Sequence, residues 1–385
     1  MSVDDENFVR DPVVPLTFQG NVTARELVKS MGGAGAFNAG RLFEACRLIE
    51  EKLRSDCLLG VSVAGAIIPA GMGRILGDMM ERGQIDFLVT TGANLYHDIH
   101  MAMGTPFFKG SFNADDETLR KKRLDRVYDI WVSEDALVEF DDVVCSKILP
   151  KIAEDFTYGS TAEFHYALGR VIRGMAKHPR QSVVVRAYEH KVPIFCPSPA
   201  DSSIGMDLAK YNVVMKTQKP IKVDPDKDII QSTALTLLTQ EIGALILGGG
   251  APKNFLLQTQ PMLEQILGVM YKGYDWVVQF SVDTPQHGGL SGATPHEAIS
   301  WGKVRIGRKN NLIVAYGDVT ISLPLLAAFV APVKRKPKKL VDRLPYAESD
   351  IARLYDAFIT RKQRADSQAK PRAMVKATES GSSSG

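Results

Sequence analysis

Cysteine is scarce in this chain: four among 385 residues, at positions 46, 57, 145 and 196, with no Cys-x-x-Cys pair. Such spacing excludes a disulfide frame and a thiolate zinc site, and reads as reduced, buried thiols in a cytoplasmic protein. Charge of one sign is also missing. The formal net charge is +3, too small for a global field that would gather nucleic acid. The basic run at residues 334–339 is broken by Pro337 and has no aromatic residue between its lysines. It reads as a solvated connecting loop, so no nucleic-acid partner is expected. Residues 1–7 are acidic and polar, which does not suit a secretory signal. Long apolar runs are absent too. Residues 312–333 come nearest, but they contain Gly317, Asp318 and two prolines and divide into a strand-like and a helix-like half. No membrane span is expected there.

What is present is an ordinary globular mixture, 45% hydrophobic and 24% charged, in a chain long enough for a large core. Short β-rich runs end in small or polar residues and pass on into loops or helical patterns: residues 57–63, 85–91, 192–196, 243–247, 276–282 and 312–316. Helical patterns follow at 72–82 and 255–267. Repetition of strand, loop and helix predicts an α/β fold, doubly wound, with a mostly parallel sheet and helices on both faces (Rossmann-like). Residues 24–53 read as two extra N-terminal helices around Gly32-Gly33, and 347–364 as a closing helix. With no repeat and no clean linker, a single domain over 21–364 is expected. Residues 1–20 are read as a flexible segment, and 365–385, which end Ser-Gly-Ser-Ser-Ser-Gly, as a disordered tail.

In such folds ligands bind at the carboxyl ends of the strands, and all the loops just described are expected on that edge. Gly248-Gly249-Gly250 follows a buried strand and opens a helix, where bare backbone N–H groups can approach a phosphate. Thr90-Thr91-Gly92-Ala93-Asn94 offers hydroxyls at a second strand end. Asp201-Ser202-Ser203 adds a carboxylate of the kind that grips ribose, and Asp318 offers another. Any one of these could be only a turn or a helix cap; four together favour a nucleotide site. His97 and His100 have a His-x-x-His spacing, but no third ligand can be placed, so no metal is expected. Residues 288–303 are the richest stretch. They set Lys303 two residues from Trp301, after a glycine-rich turn flanked by His287 and His296, with Glu297 between. A lysine does imine chemistry only if it loses its proton near neutral pH, and a desolvating wall such as tryptophan promotes that. The two histidines could shuttle protons.

These loops, in this order, resemble the deoxyhypusine synthase family over most of the chain. The resemblance rests on Phe37-Asn38-Ala39-Gly40-Arg41, Val89-Thr90-Thr91, Val192-Pro193-Ile194-Phe195-Cys196-Pro197, Asp201-Ser202-Ser203-Ile204-Gly205 and Ile246-Leu247-Gly248-Gly249-Gly250. Above all it rests on Ser291-Gly292-Ala293 through Ser300-Trp301-Gly302-Lys303. It implies an enzyme that uses NAD to oxidise an amine carbon of spermidine, holds the aminobutyl fragment as a lysine imine and passes it to an acceptor amine. Carried over by position, Lys303 matches the imine-forming lysine, and Trp301 and Glu297 line the polyamine slot. Thr91, Asp201, Ser203, Gly249, Gly250, Ser291 and Asp318 fall on the nucleotide side. A homotetramer with its sites at a subunit interface is implied as well.

The departures bear on the substrate. Where the family carries a basic histidine after the glycine loop, this chain has Asn254, and an amide takes no proton near neutral pH. Acidic family positions are Met206, with Asp207 one place on, Leu290 and His97. Fewer acids mean fewer ammonium partners. The acceptor is then either a translation-factor lysine, giving deoxyhypusine, or a free diamine such as putrescine, giving homospermidine; the altered pocket favours the diamine. His287 or His296 is the expected replacement base. The competing expectation is a catalytically silent NAD-binding sensor or scaffold.

Overall fold

The computed structural model describes residues 12–18, 20–308 and 311–379, with side chains through residue 363. Its central sheet has six strands, β1 (Leu58–Val63), β2 (Phe87–Thr90), β3 (Ile194–Phe195), β4 (Ile242–Leu247), β5 (Trp276–Ser281) and β6 (Leu312–Tyr316). Their spatial order is β3-β2-β1-β4-β5-β6, and every pairing is parallel. Strand residues alternate between two apolar layers, as the pleat requires. Leu59, Val61 and Val63 join one cluster, and Leu58, Ala244 and Ile246 the other. Both faces are covered, so these strands read as largely apolar runs in sequence, with buried polar exceptions such as Ser62 and Gln279.

Helices α1 (Ala24–Ala34), α2 (Phe37–Leu53), α3 (Gly73–Glu81) and α4 (Gly92–Met103) pack against the first layer. Thr23 and Glu26 form a capping box that starts α1. The break between α1 and α2 falls at Gly35, in the left-handed region (φ 62°), and not at Gly32-Gly33. The stretch expected as a loop at Gly92-Ala93-Asn94 is already helix, because the Thr91 hydroxyl accepts from the Asn94 N–H and caps it. Further along lie α5 (Ser203–Ala209), α6 (Gly250–Pro261), α7 (Val319–Val330) and α8 (Ala347–Glu379). The apolar stretch 312–333 divides into β6 and α7, and no helix among the described residues is long and apolar enough to cross a membrane. Helix α8 runs through Glu379, past the expected stop at 364 and into the stretch read as a disordered tail; residues 1–11, 19 and 380–385 lie outside the described residues. A small antiparallel sheet (Phe108–Lys109, Leu124–Val127, Ile130–Ser133) forms an excursion after α4.

Helix α6 lies close against the sheet because Gly60 of β1 has no side chain. A Cβ there would come within 2.7 Å of Leu256 Cδ1 and 2.5 Å of the Phe87 ring. The opposite, amino-terminal edge of the sheet is closed by Arg335, which donates to the carbonyls of Gly83 (2.8 Å) and Cys57 (2.9 Å) and pairs with buried Asp86 (2.8 Å). The basic run thus contains one structural arginine, beside exposed Lys334, Lys336 and Lys339 and a half-buried Lys338 paired with Asp56.

Candidate active site

Strand order reverses between β1 and β4, and at such a point adjacent loops leave in opposite directions and open a crevice. A cavity of about 390 Å³ lies there, lined by Ala64, Gly65, Gly248, Gly249, Ser291 and Asp318 among others. Its floor needs glycine. Gly248 has φ +87° and Gly250 φ +62°, and a Cβ on Gly249 would sit 2.5 Å from Ser291 Cα. Gln279 of β5 donates to the Ser291 carbonyl (2.8 Å) and holds that contact. Helix α6 begins at Gly250, so its free N–H groups and positive end sit at the crevice. Carboxylates of Asp283 and Asp318 and the hydroxyls of Ser281 and Ser291 supply hydrogen-bonding groups for sugar hydroxyls. These residues fit a dinucleotide such as NAD. Asp318 also caps α7, accepting from the Thr320 N–H (2.7 Å) and hydroxyl (2.6 Å).

Thr91, Asp201 and Ser203 lie on the same sheet edge but flank this cavity without lining it. Thr91 caps α4, and Ser203 opens α5, which Ser202 caps. The β1 and β2 loops are tied together by Asn94, which donates to the Gly65 carbonyl (2.9 Å) and to the Thr90 hydroxyl (3.2 Å). The β3 loop closes on them at Gly92, where a Cβ would meet Ser202 Oγ at 2.4 Å.

The loop after β5 starts on the carboxyl edge but does not stay there, which corrects the expectation that all of it lies on that edge. From Thr294 it winds into tight turns, with Ala298 N–H donating to the Thr294 carbonyl (3.3 Å) and Lys303 N–H to the Ala298 carbonyl (3.1 Å). It then returns beside Tyr274, at the amino end of β5, where Val304 forms a parallel bridge. A second cavity of about 340 Å³ lies between this loop and α6, lined by Lys253, Asn254, Leu290, Glu297, Trp301 and Lys303, with apolar walls from Leu257, Pro261 and Ala298. The two cavities are neighbours: consecutive residues Leu290 and Ser291 line one each.

Within this chamber Lys303 Nζ donates to Asn254 Oδ1 (2.8 Å) and stands 5.8 Å from the centre of the Trp301 ring. Burial pulls the Lys303 ammonium below the usual lysine range, and Glu297 partly opposes that. Trp301 is 65% exposed, so it serves as a wall and is not core. Lys253, which the pattern did not single out, is only 3% exposed. Its Nζ donates to the carbonyls of Leu290 (3.2 Å) and Ala293. Burial pulls its acidity to about 8, with Lys303 contributing and Glu297 opposing. A lysine one place past Pro252 in a helix start carries no sequence mark of burial; only the covering loop creates it.

The structure brings Lys303, Trp301, Glu297 and Asn254 together, and gathers Gly249, Ser291 and Asp318 in the crevice next door, with Gly250 at the start of α6. It does not bring His287 or His296 to the chamber of its own chain. His287 ends an exposed turn (Pro285–His287) and His296 is exposed ahead of another (Glu297–Ile299). Nor does Asp207 stand in for the acid missing at Met206. Its side chain is buried against Cys145 Sγ (3.5 Å), and burial, with Asp141 adding, pushes it up to about 7. Met206 itself is exposed. His97 packs with His100 (Nδ1 to Nε2, 2.9 Å) and Phe107, and burial holds both imidazoles down near 4, so they are neutral. Among the described residues no three His, Cys, Asp or Glu side chains gather as a metal site would need.

Comparison with known proteins follows the geometry. The family model "DS: Deoxyhypusine synthase" matches residues 26–330. A "Deoxyhypusine synthase-like protein" of Nostoc punctiforme is 42% identical over 327 residues, covering 80% of this chain and 83% of the relative. "Probable deoxyhypusine synthase 2" of Methanosarcina acetivorans is 36% identical over 323 residues, covering 83% and 90%. A crystal structure from Entamoeba histolytica named for deoxyhypusine synthase superposes with a TM-score of 0.55 at 16% identity, over 85% of this chain and 99% of that one. That last likeness concerns the fold.

Proposed function

Because the chain belongs to the deoxyhypusine synthase family, a family of enzymes that transfer alkyl groups, we propose that it is an NAD-dependent alkylamine transferase that moves an aminobutyl group from a polyamine, through an imine on Lys303, to an acceptor amine. The observation that carries this reading is a half-buried, acidified lysine against a tryptophan face, in a chamber that shares a wall with a dinucleotide-shaped crevice.

NAD, when bound, supplies the electron acceptor for oxidation of an amine carbon. Gly249, Gly250, Ser291 and Asp318 are the residues that hold it, with Thr91, Asp201 and Ser203 flanking. Lys303 attacks as the neutral amine, the form that desolvation favours. Asn254 aims the Lys303 nitrogen by accepting one of its N–H bonds, and cannot itself remove a proton. Trp301 offers its ring face to an ammonium or iminium carbon chain, and Glu297 is the carboxylate that lines the chamber.

That charge pattern favours a free diamine as acceptor. One ammonium end is held by Glu297, the other nitrogen reacts, and Leu290 presents an apolar wall to the methylenes between. Putrescine as acceptor gives homospermidine, whereas a translation-factor lysine gives deoxyhypusine. The active form in this reading is a homotetramer with its sites at subunit interfaces. Incubation with labelled spermidine or putrescine, with and without the translation factor, followed by mass analysis, separates the outcomes. Labelled homospermidine without any protein acceptor is expected. Label carried only by the translation factor overturns the diamine reading, and NAD binding with no labelled product of either kind leaves a silent sensor or scaffold.

A further inference from the structure

The chamber holds a second lysine for which aminobutyl transfer through Lys303 leaves no task. We propose that Lys253 is the proton acceptor of the chamber: its neutral amine takes one proton from the ammonium of the incoming substrate. The proposal rests on the transferase reading above and adds the residue that moves the proton.

Three observations carry it. Lys253 lines the chamber, yet is 3% exposed, so its nitrogen is shielded from bulk water while facing the ligand space. Its nitrogen meets two backbone carbonyls, those of Leu290 and Ala293. A neutral primary amine has two N–H bonds and one lone pair; two carbonyls use the N–H bonds and leave the lone pair free, whereas an ammonium has a third N–H for which no acceptor is found among the described residues. The charged groups that face it are Lys303, which disfavours a second positive charge, and Glu297, which favours one. Burial and Lys303 outweigh Glu297, and the group titrates near 8.

The other chamber groups cannot take the role. Asn254, Gln258 and Gln265 are amides without a basic lone pair. A carboxylate such as that of Glu297 is a far weaker base toward an ammonium than an amine is, and serves as the counter-charge. His287 and His296 stand outside the chamber of their own chain. The step balances without any other reagent. The N–H bond of the substrate ammonium breaks, a new N–H bond forms on Lys253, the substrate becomes a neutral amine and Lys253 an ammonium. The charge of the loaded chamber is unchanged, and the proton returns when the product leaves as an ammonium.

The test uses the full chain with NAD and a diamine or spermidine donor. Lys253→Gln keeps two N–H bonds for the Leu290 and Ala293 carbonyls but has no basic lone pair. Its kcat is expected to fall by roughly 100-fold or more, the yield expected of a general base, with KM changed by less than about threefold. The limb expected near pH 8 in the wild-type kcat profile should vanish in the variant. A Lys253→Gln enzyme that keeps that limb overturns the proposal. If the variant does not fold, competitive acetylation of wild-type Lys253 across pH, read by mass spectrometry, decides. A midpoint near 8 with protection by the diamine supports the role, and an ordinary lysine midpoint without protection removes it. Borohydride trapping on the wild type separates this from the reading beneath it. An adduct at Lys303 together with an unmoved pH limb sinks the role of Lys253 alone, and no adduct at all sinks the transferase reading and this role with it.

Discussion

At the residue scale the proposed nucleophile, Lys303, sits in altered surroundings, with Asn254 beside it. Lys303 is drawn down by burial and aimed by Asn254, so Lys303→Ala should abolish transfer, a loss of roughly 1,000-fold or more in kcat, while NAD binding by titration stays within about threefold of wild type. Lys253 also leaves a mark on folding. Its amine titrates near 8 in the folded chain against 10.5 for a free lysine. Between those values the unfolded chain holds more protons, so stability rises with pH across that window, and the penalty of burying the ammonium is fully present below it. Thermal midpoints measured from pH 7.5 to 10.5 should therefore climb for the wild type relative to Lys253→Gln; parallel curves would show that burial does not govern this lysine. Lys303 and Trp301 were legible as a site from spacing and resemblance. Lys253 was not, because its burial depends on a loop 37 to 40 residues further along the chain.

At the scale of elements, the strand-loop-helix rhythm made the sheet readable, since the core strands are largely apolar runs bounded by small or polar residues. Three features escaped it. Strands of two to four residues in the excursion after α4 are too short to show a period. The start of α4 hid in a loop-like Gly-Ala-Asn because its cap, Thr91, was read for its chemistry. The lysine loop was placed wholly on the carboxyl edge because its return along α6 depends on the Tyr274–Val304 bridge, which no local pattern encodes. The junction of crevice and chamber gives a direct prediction. Gly249→Val places a side chain where even Cβ lies 2.5 Å from the Ser291 backbone. NAD affinity should fall at least about tenfold, or about 1.4 kcal/mol, with far-UV circular dichroism unchanged. Unaltered affinity would mean that NAD does not sit over this turn.

At the scale of the whole molecule, the β3-β2-β1-β4-β5-β6 order sets the division of labour. The two candidate cavities lie around the loops of β1, β4 and β5 and along α6, and the amino-terminal edge carries a structural ion pair. Arg335 shows the second role. Its guanidinium is bound to two carbonyls and to Asp86, a carboxylate that burial pushes upward and Arg335 pulls back. Arg335→Met leaves that carboxylate buried with only the Leu59 N–H (2.7 Å) as partner among the described residues and should cost about 3–5 kcal/mol, read as a lower denaturation midpoint, with NAD affinity retained by the fraction still folded. A midpoint within about 0.5 kcal/mol of wild type would contradict the pairing. The lysines beside it, Lys334 and Lys336, are exposed, and they line neither candidate cavity.

The central claim is that Lys303 carries the alkyl group. Wild-type protein incubated with NAD and a polyamine donor, then reduced with borohydride and digested, should yield one modified peptide whose added mass is that of an aminobutyl group on Lys303, dependent on NAD and missing from Lys303→Ala. Full NAD binding with an unmodified Lys303 in every donor mixture would contradict it.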